Sequence, residues 1–313
     1  MKVSCFHTIL LAAAALCSQA AADFKVTPGS TVKASTSKHV NFVKQWTLTA
    51  TPTTTTIDSI DLSLAGNAYV SYVSGLPSGV IGYVNVSGDS RAVVNAVTGG
   101  ELNVLLGNKA TTGYLLTEIF LASPNAVSDV SSQRSAQVVI EDNVLVKGGK
   151  RTELQIDASG SSAVYVSTPK TAVSVRQLSL ETSGSAKIEY SVGSINVRSE
   201  LQVDAQGSSS ITVLSSTVKT NQLEMDALQS GKICIDANVV RATWRDIQGK
   251  NKISMPNAVK KHGTTGTFAC KKSTLPTRKA AQITAGPTTS TGANAYIDNN
   301  DLDNDDLNDS TED

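Results

Sequence analysis

The chain has 313 residues, 27 basic and 27 acidic side chains, a formal net charge of zero, and only 4% aromatic residues. Length predicts one or two domains. Charged residues, at 17%, are too few for a coiled coil, and the balanced charge argues against a nucleic-acid binder. No segment past the N-terminus approaches the ~20 apolar residues that span a bilayer, so no transmembrane anchor is expected.

Residues 1–22 (MKVSCFHTILLAAAALCSQAAA) have a short basic start, an apolar stretch and a small-residue end. This pattern predicts a secretory signal peptide, a mature chain beginning near Asp23 and an extracellular destination. Cys5 and Cys17 leave with that peptide, so Cys234 and Cys270 remain as a disulfide candidate, with two unpaired thiols as the alternative. Asn85 and Asn308 head N-glycosylation sequons. The Thr-rich run 51–56 reads equally as an O-glycosylated stretch or a plain loop.

Further along, 60–64, 68–73, 80–86, 92–97, 102–106, 115–121 and 137–146 alternate apolar and polar residues between Gly, Asn, Ser or Pro. They predict strands, and no stretch carries a helical period. The next region repeats. Segments 154–166 (LQIDASGSSAVYV), 178–190 (LSLETSGSAKIEY), 201–213 (LQVDAQGSSSITV) and 223–235 (LEMDALQSGKICI) align without gaps, their starts 24, 23 and 22 residues apart. Each opens on an apolar-x-apolar pair such as Leu154 and Ile156, turns at Ser-Gly-Ser or its variant, and continues into a second pair such as Val164 and Val166. A weaker third patch follows at Val173, Ile195, Val218 and Val240. Three short strands per period predict one turn of a right-handed parallel β-helix. In such a solenoid Leu154, Leu178, Leu201 and Leu223 form one continuous inward column. A β-sandwich is the competing fold. The constant register of four copies favours the solenoid. The expected layout is an all-β domain over 23–255, with regular coils at 154–240.

The repeated Leu-x-apolar-acid/Thr-x-Ser-Gly-Ser pattern resembles the auto-transporter adhesin head GIN domain family, as does the strand-then-proline element Ile119-Phe120-Leu121-Ala122-Ser123-Pro124. The resemblance covers roughly residues 57–240. It implies a secreted or surface β-helical domain with an adhesive role and brings no catalytic residues. The fourth copy departs from it, because Leu228-Gln229-Ser230-Gly231 shifts the glycine.

Catalytic chemistry finds little support. His39 and His262 are the only histidines after the signal, and neither has a partner at metal-ligand spacing. No nucleophile elbow, phosphate loop or dinucleotide fingerprint is present. No catalytic residue and no metal site is expected. The sharpest constellation is an acidic ladder. Asp157, Glu181, Asp204 and Asp226 each stand three residues after the opening Leu, so alternation turns them outward. Three readings stay open for it. One is a solvated row offset by Lys187 and Lys232. Another is a calcium site, calcium being the one cofactor considered. The third is half of a polysaccharide-cleaving site. Outward serines (Ser159 and Ser183; Ser161, Ser185 and Ser208) suit hydrogen bonding to a sugar, or are tolerated corner residues.

Residues 241–279 hold ten bases against one acid, Asp246, and Trp244 and Ile247 are expected to cap the open end. From residue 256 the layout is the rest of this basic segment followed by a flexible linker at 280–297. Residues 298–313 carry eight acids and no base, which predicts a disordered tail. Together these observations predict a secreted, non-enzymatic surface module. Its expected partner is a cell-wall or host-surface polysaccharide or protein, with a polysaccharide lyase or hydrolase as the alternative and assembly into oligomers open.

Overall fold

The computed structural model describes residues 24–53, 55–100, 102–107 and 111–285. The expected signal peptide, the linker beyond 285, the acidic tail and Asn308 lie outside them. The chain opens with β1 (Lys25–Pro28), β2 (Val32–Ser37), β3 (Val40–Thr49), β4 (Ser59–Tyr72) and β5 (Val80–Gly88). A one-turn helix, α1 (Arg91–Ala96), comes next, then β6 (Val97–Gly100), β7 (Asn103–Leu106), β8 (Thr111–Leu121) and β9 (Asp129–Ile140). The repeat region supplies β10 (Glu153–Ala158), β11 (Ala163–Thr182), β12 (Lys187–Ala205), β13 (Ser210–Leu214), β14 (Thr217–Ala227), β15 (Lys232–Asp236), β16 (Val239–Gln248) and β17 (Ile253–Ser254). The last strand is β18 (Ala281–Ala285).

The repeats stack as parallel coils of a β-solenoid with about 5 turns. Equivalent residues pair directly. Leu154 faces Leu178, then Leu201, then Leu223. Val164, Ile188, Ile211, Ile233 and Ile253 form a second column, and Val173, Ile195, Val218 and Val240 a third. Every one of these side chains is buried. Three sheets thus enclose one narrow aliphatic core, each turn burying apolar surface that it cannot bury alone.

The corner between the first and second sheets explains the Ser-Gly-Ser signal. Gly160, Gly184 and Gly207 adopt positive φ, and a Cβ on Gly207 would lie 2.7 Å from the Gly184 carbonyl oxygen. In the fourth copy Gln229 takes the left-handed position at φ 52. Ser230 still donates its N–H to the Gly207 carbonyl at 2.9 Å, so the shifted glycine leaves the stacking intact.

The N-terminal part departs from the expected degenerate coils. β4 and β9 are true coils, paired in parallel from Ser59–Asp129 through Val70–Ile140. The expected strands 60–64 and 68–73 are one strand that turns at Gly66, φ 82. β3, β5 and β8 pair antiparallel with one another in that order and close the end of the solenoid as a cap, while β8 also pairs in parallel with β4 from Asn67–Leu116 through Tyr72–Leu121. Residues 92–97, expected as a strand, fall mostly in α1, where the Ser90 hydroxyl accepts the Val93 N–H and Val93 and Val94 are buried. The expected strand 137–146 ends at Ile140.

The C-terminal segment also differs from a linker. After β17 the chain closes the last turn with Met255 and Ala258, both buried. It then runs back along the outside of the second sheet as a strap. Cys270 is bonded to Cys234. The backbone N–H of Ser273 donates to Glu189 Oε2 at 2.8 Å. Leu275 and Ala280 pack on the buried side chains of Tyr69, Leu116, Val139 and Tyr165. Arg278 pairs with Glu118 at 3.0 Å and lies over the rings of Tyr69 and Phe120. β18, at the start of the expected linker, finally pairs antiparallel with β8. The strap therefore joins the last turn to the cap at the opposite end. No helix among the described residues is long and apolar enough to cross a membrane.

Candidate functional site

The first sheet presents a flat polar face, set by strand alternation and in-register stacking. One outward row is Glu153, Gln177, Glu200, Gln222 and Trp244. The next is Gln155, Ser179, Gln202, Glu224 and Asp246. The third is the expected acidic ladder, Asp157, Glu181, Asp204 and Asp226, ending on Gln248. The ladder carboxylates line a groove of ≈ 250 Å³ together with Ser159 and Ser183. Ser161, Ser185 and Ser208 are exposed at the adjoining corner.

The ladder is half-buried rather than freely solvated. Three of its four carboxylates, those of Asp157, Glu181 and Asp204, are held by the side chain two residues before them. Gln155 donates to Asp157 Oδ2 and Gln202 to Asp204 Oδ2, both at 2.8 Å, and the Ser179 hydroxyl donates to Glu181 Oε1 at 2.9 Å. The Oδ1 atoms of Asp157, Asp204 and Asp226 are buried without a hydrogen-bond partner. Burial pushes Asp157 up to about 6, with repulsion from Glu181 and Asp129 adding to it and the Gln155 hydrogen bond opposing it. Burial likewise pushes Asp204 up to about 6, aided by Asp226 and Glu181 and opposed by Gln202. Asp226 is raised by burial and by Asp246. Glu224 is raised by burial and by its contact with Glu200.

Lys187 and Lys232, expected to offset the ladder, do not reach it. Lys187 pairs with Glu189 and contacts the hydroxyl of Ser273 in the strap, while Lys232 lies over the Phe268 ring. Their side chains belong to the second sheet, so alternation turns them toward the strap rather than the ladder. Among the described residues no cluster of three His, Cys, Asp or Glu side chains is arranged to hold a metal ion.

Sequence reasoning missed three contributors to this face. Asp61 extends the ladder by pairing with Ser131, which pairs with Asp157, and Asp129 pairs with Gln155. Aligning 59–64 and 129–132 with the repeats would have revealed both. Of the pair expected to cap the open end, Ile247 packs partly buried against the core, but Trp244 is 72% exposed. It follows Gln222 in the outward row, and Met255 and Ala258 close the core instead. Asn85 sits mid-strand in β5, half-buried and accepting from Gln45 at 2.9 Å.

The carboxyl shifts carry a pH prediction. A folded-state value near 6, above the ordinary 3.8, means that the folded protein holds those protons more tightly than the unfolded chain. The resulting stabilisation is complete below pH ~4 and is lost as pH rises through ~6. Thermal melts should therefore show higher stability at pH 5 than at pH 7.5. Asp204→Asn should flatten that dependence and, because solvent screens this half-exposed carboxyl, stabilise the protein at pH 7.5 by only on the order of 1 kcal/mol. A slope unchanged by the substitution would refute the assignment.

No protein-family model, curated protein or solved structure matches the chain.

Proposed function

We propose that this protein is a secreted, non-enzymatic adhesive or structural module that binds glycan or matrix through the outward face of its first sheet. The observation that carries this reading is Trp244, an exposed indole that ends one of three outward rows of amide, hydroxyl and carboxylate side chains. Carbohydrate recognition combines an apolar platform for the sugar ring with polar groups for its hydroxyls, and the face offers both. The strap covers the second sheet and leaves the first open. The Leu-x-apolar-acid/Thr-x-Ser-Gly-Ser resemblance to adhesin head domains points the same way.

A second reading, a polysaccharide-cleaving enzyme, is favoured by one observation. Carboxyls near 6, such as those of Asp157 and Asp204, suit a general acid at neutral pH. One experiment decides between them: a glycan array on the mature protein, run beside a reducing-sugar release assay on the glycans it binds. Binding without release, weakened about tenfold or more in Trp244→Ala with an unchanged melting temperature, is the expected result. Sugar release that disappears in Asp204→Asn would replace the adhesive reading with the enzymatic one.

A further inference from the structure

A second cavity lies at the opposite edge of the last turn. It measures ≈ 250 Å³, and its lining includes Lys219, Arg241, Lys260 and His262. Lys219 and Arg241 are register partners on β14 and β16, so stacking brings two outward cations side by side, roughly 5 Å apart along the backbone. Lys260 arrives from the closing loop. All three are exposed, none forms an ion pair among the described residues, and no carboxylate lines the cavity. Asp246, the one acid of the basic stretch, sits in the first-sheet row instead.

His262 supplies an independent sign of a ligand. The residue is 5% exposed. Its Nε2 lies 3.0 Å from the Val240 carbonyl oxygen. A carbonyl only accepts, so Nε2 carries a proton, and Nδ1 remains buried with no partner. A buried polar atom left unpaired is costly and is normally satisfied. Three uncompensated cations around the cavity form a receptor for an anionic group, and a carboxylate oxygen would pair with Nδ1 where that atom carries a proton as well.

We infer that this cavity takes carboxylates of the chain's own acidic segment, residues 298–313. That segment holds eight acids and no base, the complement of the cavity in charge. Covalent length permits the return. The strap ends at Ala285 beside β8, seven strand spacings from the last turn, or ~34 Å. The intervening residues 286–297 span at most ~40 Å. The segment would neutralise the end of the solenoid that has no further turn stacked on it.

Zero-length carbodiimide cross-linking of the whole secreted chain, with mass mapping of the monomeric fraction, tests this. The expected result is amide links from Lys219 or Lys260 to acids within 298–313. These should fall at least about fivefold in Arg241→Gln, and again at about 0.5 M salt, where screening shortens to a few Å. Links spread evenly over Lys271, Lys272 and the other exposed lysines would overturn the inference. Links confined to a dimeric fraction would also overturn it, by assigning the cavity to the tail of a second copy. So would a sulfated oligosaccharide that protects Lys219 and Lys260 from acetylation in a chain whose own tail leaves them reactive.

Discussion

Leu201→Asp is expected to abolish cooperative folding. Leu201 is 1% exposed and sits between Leu178 and Leu223 in the first inward column. An ionised carboxylate there has no partner and no water, and its burial costs at least several kcal/mol. Whole domains are stable by only ~5–15 kcal/mol. Neighbouring turns share the penalty because each is the other's wall, so local distortion cannot confine it. Loss of the thermal transition by circular dichroism is the expected readout. Ser208→Asp, at an exposed corner of the same turn, should change stability by no more than about 0.5 kcal/mol. A cooperative melt for Leu201→Asp close to that of the unmodified protein would contradict the buried column.

The second large effect concerns the strap. Cys234 and Cys270 are separated by 36 residues in sequence, and closing a loop of that size is worth roughly 3–4 kcal/mol through the entropy of the unfolded chain. Cys234→Ser with Cys270→Ser should therefore lower the melting temperature by many degrees. The doubly substituted protein should also expose the strap to proteases. Cleavage within 271–280 would then precede loss of the coils. Equal melting temperatures for the bonded and substituted proteins would mean that the bond adds nothing to stability. Its remaining contacts, Ser273 on Glu189 and Arg278 on Glu118, lie beyond the bond, so releasing Cys270 weakens them together rather than one by one.

The solenoid was legible because stacking writes itself into sequence. Each turn lies directly on the last, so one structural position recurs every 22 to 24 residues, and Leu154, Leu178, Leu201 and Leu223 repeat visibly. The cap was not legible, because antiparallel strands such as β3 and β5 alternate with the same period of two as a coil does. α1 is a single turn, too short to display a helical period. The strap is one extended passage without repeats. Its written signs were Cys270, which pointed to Cys234, and a basic run whose Arg278 finds carboxylates from the cap. At the site, the ladder followed directly from the repeat. The direction of Lys187 and Lys232 required knowing which sheet each occupies. Trp244 was misjudged because apolar character suggests burial, whereas its place in the alternation is outward.

Joining Cys234 to Cys270 has a mechanical consequence for a protein proposed to hold onto surfaces. Tension entering the chain beyond Ala285 first meets β18 and must strip it from β8, then lift Arg278 and Leu275 from their seats. At Cys270 the covalent link passes the load directly to Cys234. Residues 235–269 are bypassed and carry no extension. The terminal turn, with Trp244 and the basic cavity on it, stays folded under forces that have already peeled the outer segment away, so the grip outlasts the tether's first yield.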